Sequence, residues 1–451
     1  MWQTIYAAVT LTAVLSFACY AALIATSFLS RKEYADADAS YFEWHLFVPC
    51  RDEETVIGRT INDARTNFPE AHLWIIDDAS VDSTAEIVEK SMSEDPNVHL
   101  VRRVLPEARQ GKGAALNAAY QSLVAWRQRN SVQASSDRVI VGIVDADGRL
   151  APNALSAIAG AGAFARTDVG AAQITVHMHN RHERYLHLSR VRRAWRRFLV
   201  IMQDLEFRTI VAGMQSLRAR TGTVGMGGNG QFSRLRVLEE LHHEFGSPWH
   251  GSLLEDYEMG VHVLLRGWQS AHVHSTHVTQ EAVEDLPRLL TQRTRWAQGN
   301  IQCLLYLRRM RNSVHISPPG VLETAYYLLL PYTQIVVIAF WGTQLCMTVL
   351  QMIGHGIDVT IAPSEWATKG ALILLGLVPF AMWGPIYRKE CEPGMSFAAS
   401  IALGGLVFIY TLYVMITTPR AMVRSARRKT SWSKTRRNAE NLTVGGIAHE
   451  L

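Results

Sequence analysis

The sequence predicts an α/β domain on a mostly parallel sheet, flanked by apolar helices that anchor it to a membrane. Three observations predict it. Short apolar or β-branched strings alternate with helical periods between Arg31 and Pro287; charged residues gather where those strings end; and long uncharged runs lie outside that block on both sides. With 48% hydrophobic against 19% charged among 451 residues, the chain is richer in apolar side chains than a purely soluble protein.

The first run, Trp2 to Leu29, carries no charge and is longer than the roughly 20 residues that cross a bilayer as a helix. Arg31 and Lys32 follow the run instead of preceding it. That order argues against a cleaved signal peptide and places the N-terminus outside, with everything after Arg31 in the cytosol. In the next block, HLFVPC, Leu73 to Ile76, NVHLVR and RVIVGIVDAD read as strands. ETVIGRTINDARTNF, TAEIVEKSM and GAALNAAYQSLVAWRQ read as helices. Strand, helix, strand in this rhythm gives parallel pairing covered on both faces, and such sheets bind ligands at the carboxyl ends of their strands. Arg51, Asp52 and Glu53 follow the first strand, Asp77 and Asp78 the second, Asp145 and Asp147 the fourth.

Each cluster has a structural reading beside a chemical one. Asp145 and Asp147, with Gly148 letting the backbone turn, offer hard oxygens to Mg²⁺ or Mn²⁺, which in turn can hold a diphosphate. The same Asp-x-Asp is also a common turn and capping device. Asp78 or Ser80 can cap the helix beginning near Ser83. RQGKGAALN puts Lys112 in a basic loop where it can meet a phosphate, although such loops are commonly plain turns. The Glu255–Asp256 pair of SLLEDYEMG either favours a helix N-terminus or supplies a general base. LLTQRTRWAQGN reads alone as an amphipathic interface helix, with Leu286, Leu289, Leu290, Trp296, Ile301, Leu304 and Leu305 on its apolar side and its arginines snorkelling.

Three further apolar runs follow: Val321 to Ile353 with Pro331 inside it, Gly370 to Tyr387, and Met395 to Thr418. Each can span, yet three exits would leave the basic tail, Arg420 to Arg437, outside. One of the three is therefore expected to lie in the interface or to re-enter. The five cysteines are scattered, with neither disulfide framework nor CxxC spacing, which suits a reducing cytosolic domain. Histidines alternate in VHMHNRH and AHVHSTH and read as satisfied or surface groups before a zinc site. The net charge of +5 is small and the tail accounts for it, so the tail reads equally as a contact for anionic lipid headgroups or as a solvated positive-inside flag, and no nucleic acid is expected.

VPCRDE, IDDAS, RQGKGAALN, VDADG, LLEDYEMG and QRTRW stand in the order and rough spacing of membrane-embedded family 2 glycosyltransferases, and the sequence resembles their processive branch, the cellulose, chitin and hyaluronan synthases. The likeness runs from the first span through WSKTRR. It implies a GT-A fold in residues 31–285, membrane helices in 1–30 and 319–418, an interface segment in 286–318 and a cytosolic tail in 419–451. It also implies a nucleotide-sugar donor, a divalent metal and inverting transfer. By resemblance, Pro49 and Glu53 line the nucleoside pocket, Asp78 reads the base, Lys112 lies near the donor phosphates, Asp145 faces the donor, Asp147 ligands the metal and Asp256 is the general base. Gln292, Arg295 and Trp296 match QxxRW, whose tryptophan is a stacking floor for the acceptor.

Two departures stand out. Leu254 occupies the position where many relatives carry threonine, and GMGGNGQFSRLRVLEEL, expected beneath donor and acceptor, matches neither the cellulose nor the hyaluronan version. In that segment Asn229 and Gln231 are candidates to hydrogen-bond sugar hydroxyls. The expectation is a multi-pass plasma-membrane enzyme that extends a β-linked polysaccharide from a UDP-sugar such as UDP-Glc or UDP-GlcNAc and exports it, with a possible homo-oligomer to complete the channel. The alternative acceptor is a membrane lipid that takes one sugar. A non-catalytic scaffold or nucleotide sensor is the rival of another class, and the complete acid set stands against it.

Overall fold

The computed structural model describes residues 2–132, 134–355 and 376–428. Eight strands form one sheet in the order β3-β2-β1-β4-β7-β6-β8-β5. β1 (Glu43–Cys50) lies between β2 (His72–Asp78) and β4 (Val139–Ile143), parallel to both, and β3 (Val98–Arg103) extends the parallel edge beyond β2. β6 (Val169–Met178) and β8 (Gln269–Gln280) form a second parallel pair; β5 (Arg149–Leu150) lies on β8, and β7 (Gln231–Arg234) joins the halves by pairing antiparallel to both β4 and β6.

Burial on both faces explains why β1 and β2 read as continuous apolar strings. Alternate side chains serve two separate cores, as a period of two requires. Leu46, Val48, Leu73 and Ile75 join one core, with Ile57 and Ile61 of α2 (Ile57–Asn67), Val88 of α3 (Thr84–Glu94) and Ile158 of α5 (Ala154–Ala159). Phe47, Trp74, Ile76, Val141 and Ile143 join the other, under Leu116 and Leu123 of α4 (Lys112–Arg129), Leu238 of α8 (Leu235–Phe245) and Met259 of α9 (Glu255–Leu265).

One strand is shorter than its sequence suggested. β4 stops at Ile143, and VDAD is a loop. Asp145 donates its amide to the Asn229 side chain (3.2 Å), and Gly148 donates its own to the Asp145 carbonyl (2.7 Å), so a turn takes the backbone groups a ladder would have used. The helix after β2 is likewise not capped by Asp78 or Ser80: Asp82 accepts from the Thr84 amide (3.1 Å).

Beneath the sheet lies a helical layer: α1 (Trp2–Leu29), α6 (Arg190–Leu205), a π-helical turn at Glu206–Val211, α7 (Ala212–Thr221), α10 (Leu286–Cys303), α11 (Tyr306–Asn312), α12 (Pro318–His355) and later helices that include Trp383–Glu390, Phe397–Thr411 and Val414–Ala426. Among the described residues, Leu11–Leu29 and Phe397–Ala426 are long and apolar enough to cross a membrane. α12 runs unbroken through Pro331 over 38 residues. Residues 370–375 of one expected span, and the tail from residue 429 on, lie outside the described residues.

The layer is tied together by buried polar bonds. Arg218 of α7 pairs with Glu323 of α12 (2.9 Å), and Tyr20 of α1 donates to the same carboxylate (3.1 Å). Arg31 pairs with Glu390 (2.9 Å), which sets the end of α1 level with the end of Trp383–Glu390. That helix meets Phe397–Thr411 backbone to backbone: a Cβ on Gly384 would fall 2.0 Å from the Ser400 carbonyl oxygen, and one on Gly404 equally close to that of Ala381. Only glycine at both positions permits this approach.

Candidate active site

The carboxyl ends of β1, β2 and β4 open into a cavity of about 520 Å³ that continues down to the helical layer. Pro49, Glu53, Asp78, Lys112 and Asp145 line its sheet end; Asp256, Gln292, Arg295 and Trp296 line its waist. Residues singled out across more than two hundred positions of sequence thus share one wall.

At the sheet end the side chains hold one another. Asp78, the last residue of β2, pairs with the buried Arg103 and accepts from the Arg109 amide (3.0 Å), both bonds falling on Oδ1. The Glu53 amide donates to the Thr84 hydroxyl (2.8 Å), which tethers the β1 loop to α3. Asp52, Ala79 and Arg109 on this rim adopt positive φ angles of 53°, 60° and 65°. Left-handed backbone in non-glycine residues costs on the order of 1 kcal/mol each, and such strain concentrates where a loop is shaped for binding. The Lys112 ammonium donates to Asp145 Oδ1 and to the Gly228 carbonyl, both at 2.6 Å. A Cβ on Gly228 would lie 3.0 Å from that ammonium and 3.1 Å from Asp256 Oδ2, so the two charges flank a gap that only glycine leaves open.

Asp256 sits in the first turn of α9 and accepts from the Tyr257 amide (2.7 Å). Burial raises its carboxyl above the usual aspartate range, although the Lys112 ammonium opposes the rise. Its neighbour Glu255 is pushed up to about 7 by burial and by the Asp256 carboxylate. Burial alone would lower Lys112, but the carboxylates of Asp145, Glu255 and Asp256 outweigh it and raise its pKa. The third acid of the helix, Glu258, is structural: it accepts from the Tyr306 hydroxyl (2.6 Å) and the Ser252 amide (3.1 Å), fixing α9 to α11.

Three of the residues singled out in the sequence are held by the fold itself. Asp147 does not line the cavity; it is buried, and its Oδ2 accepts from the Glu281 amide (2.8 Å). Asn229 lines the cavity, but its side chain is spent on holding the loop: Oδ1 accepts from Asp145 and Nδ2 donates to Gln280 (3.1 Å). Gln231 lies within β7, fully buried between β4 and β6, away from any sugar site. As donors, Asp145 and Asp147 are carboxylates two residues apart on one turn, the oxygen type Mg²⁺ and Mn²⁺ take, with Asp145 facing the cavity.

Sequence reasoning missed the pair that holds the waist. Arg293, the first of the two arginines of QRTRW, binds Glu206 through two parallel bonds (3.0 and 2.6 Å), and Tyr410 donates to the same carboxylate (2.8 Å). Its guanidinium carbon stands 4.3 Å from the Trp296 ring centroid, while Phe207 meets the indole edge-on at 6.1 Å. Trp296 is therefore clamped between a cation and an aromatic edge. Glu206 opens the π-helical turn, and such turns are frequent at functional sites. Below this clamp the wall becomes apolar, with Phe207, Ile210, Val211, Met214, Leu330 and Val414.

Residues 44–299, more than half of the chain, match the family described as Glycosyltransferase like family 2. The chain belongs to this family. It is a glycosyltransferase, and its sheet and helices have the GT-A-like arrangement. Over 403 residues this family 2 chain is 24% identical to a β-monoglucosyldiacylglycerol synthase of Synechocystis sp., covering 86% of the chain and 74% of that protein. A β-monoglucosyldiacylglycerol synthase of Nostoc sp. is 26% identical over 261 residues, 57% of the chain and 48% of the relative, so the chain spans about half the length of that protein. Among solved structures, a mannosyltransferase from Pyrobaculum calidifontis in complex with GDP-Man and Mn²⁺ covers 94% of the chain and 98% of its own, with a TM-score of 0.55 at 16% identity, a likeness of fold. Family 2 membership bears out the coarse resemblance; the relatives named here are lipid glucosyltransferases and not processive polysaccharide synthases.

Proposed function

We propose that this glycosyltransferase moves one sugar from a nucleotide sugar to the hydroxyl of a membrane lipid, inverting the anomeric carbon. One observation carries the reading. A single cavity has acids and a lysine at its sheet end and, past Trp296, an apolar wall contributed by the helical layer. A polar donor suits the first half and an acyl-bearing acceptor the second. The names of the curated relatives support the lipid acceptor over the polysaccharide, and make UDP-glucose with diacylglycerol the first pair to assay.

In this reading Pro49, Glu53 and Asp78 hold the nucleoside, and Lys112 and Arg295 bring positive charge to the diphosphate. Asp145 and Asp147 are the residues that would hold a divalent cation, whose chemistry is to neutralise charge on the leaving diphosphate. Asp256 takes the proton from the acceptor hydroxyl as its oxygen bonds to the anomeric carbon, and the bond from that carbon to the diphosphate oxygen breaks on the opposite side. No covalent enzyme intermediate is needed; alignment over the Trp296 floor supplies much of the rate. The carboxylate raised by burial is a stronger base than a free aspartate. The chain would work as a multi-pass membrane protein with this cavity on the cytosolic side.

The test is the size of the product. Purified protein in mixed micelles with diacylglycerol, labelled UDP-sugars and Mg²⁺ or Mn²⁺ should yield a glycolipid carrying one sugar, resolved by thin-layer chromatography and mass spectrometry. A ladder or high-mass polymer would restore the polysaccharide reading, and release of no nucleotide from any donor would leave only a binding protein.

A further inference from the structure

A second concavity, of about 690 Å³, lies away from the cavity already described. Arg184, Arg193 and Arg197 line it, together with Arg181, His182 and a single acid, Glu392. That acid is already engaged: Arg181 and Arg208 each pair with it at 3.1 Å. Among the described residues no carboxylate pairs with Arg184, Arg193 or Arg197. Arg193 donates to the Leu186 and Leu188 carbonyls (3.1 Å each), and its Nε is buried without a hydrogen-bond partner. A buried guanidinium edge with no acceptor is costly, and an anion is what would satisfy it.

The place of this concavity in the molecule names the kind of anion. Its far side is Met395, Ala399 and Leu403, at the start of the second helix long and apolar enough to span. The Arg31–Glu390 pair sets the end of α1, the first such helix, level with the turn that precedes this one, so the arginines stand where both apolar helices leave the membrane. α6 borders the site and carries its own membrane signature: Val191 is 80% exposed and Trp195 47% exposed, between Arg190, Arg192, Arg193, Arg196 and Arg197. A basic helix with an exposed indole fits a surface helix at headgroup depth.

We infer that the hollow between α6 and the start of Phe397–Thr411 binds an anionic phospholipid, its phosphate among Arg184, Arg193 and Arg197 and its acyl chains along Met395 and Leu403. The site is separate from the acceptor cavity and does not depend on which lipid is glycosylated. Its effect would be to seat α6, and through Leu199, Met202 and Leu205 the helical core, on negatively charged membrane.

Native mass spectrometry of the full chain in detergent, titrated with phosphatidylglycerol or phosphatidylcholine of equal acyl length, tests this. Wild type should retain phosphatidylglycerol at least about tenfold more tightly, from three cations near the phosphate. The triple variant Arg184→Gln, Arg193→Gln, Arg197→Gln should lose that preference. If the triple variant does not fold, the single exposed change Arg197→Glu, checked by circular dichroism, should still weaken phosphatidylglycerol severalfold. Equal retention of both lipids by wild type overturns the proposal. So does an anionic preference unchanged in the variants, which would assign it to the basic tail, or displacement of the lipid by millimolar inorganic phosphate, which would make this a phosphate site.

Discussion

At the sheet end of the candidate cavity, charged side chains at the tips of β2 and β4 are held by bonds to one another and to nearby backbone; at the helical end, one bidentate ion pair braces a wall of aromatic and apolar residues. The two ends obey different physics. Strand tips present polar groups because the strands themselves must stay apolar, so donor chemistry concentrates in short local motifs. The lower wall is assembled from helices distant in sequence, and what it recognises is set by packing. The contrast implies that damage at the upper end stops chemistry with the fold intact, whereas damage at the lower end loosens structure and acceptor binding together.

The sharpest way to separate the two is Asp256→Asn. Removing a general base is expected to lower kcat by about 10²- to 10⁴-fold. Donor affinity, read by calorimetry with the nucleotide sugar, should stay near wild type because Pro49, Glu53 and Asp78 are untouched. Normal turnover in this variant would remove Asp256 from the mechanism.

Arg293→Met attacks the other end. It leaves Glu206 buried beside Tyr410 without its cation, and breaking a buried pair this way costs about 3–5 kcal/mol. The thermal midpoint should fall and the acceptor KM rise, while donor affinity in the folded fraction holds. Adding Glu206→Gln should recover much of the stability, since the uncompensated charge is then gone. No recovery would mean that the stacking of Arg293 on Trp296, and not the ion pair, supports the waist.

A smaller effect is expected from Ile210→Asn, which places an amide on the apolar wall without touching a charge. Acceptor KM should rise about tenfold, in line with roughly 1–3 kcal/mol for an unsatisfied polar group against an acyl chain, with kcat at saturating lipid little changed. A variant with unchanged acceptor KM and reduced donor affinity would reverse the assignment of the two ends.

The same contrast explains what was legible beforehand. Periodicity locates the strand ends and helix starts beside Glu53, Asp78, Lys112, Asp145 and Asp256; their individual roles, and that of Pro49, rest on the resemblance of the motif order to family 2 glycosyltransferases. QRTRW was legible as a motif, but the role of its first arginine, Arg293, was not: the partner Glu206 lies 87 residues upstream in a π-helical turn, and hydrophobic period carries no signal for that geometry. Asn229 and Gln231 were read by residue type alone, and Asp147 from its Asp-x-Asp spacing and the resemblance. In the fold their bonding is fixed by the Glu281 amide, the Asp145 amide and the β4–β7–β6 ladder, contacts that a linear pattern does not encode.

The finest probe of the sheet end is pH. A general base works deprotonated, so the rate must fall as pH drops through its pKa. Burial raises that of Asp256, and Glu255 beside it titrates near 7. The acid limb of kcat/KM should therefore lie above the usual aspartate range. Glu255 takes up its proton at higher pH than Asp256, so it is already neutral on the acid limb, and Glu255→Gln should leave that limb in place. Lys112→Met does move it: the ammonium lowers the Asp256 pKa, so its loss should push the limb up, on top of any loss of donor binding. An acid limb unmoved by Lys112→Met would show that the group controlling the rate does not feel that ammonium, and Asp256, which does, could not then be that group.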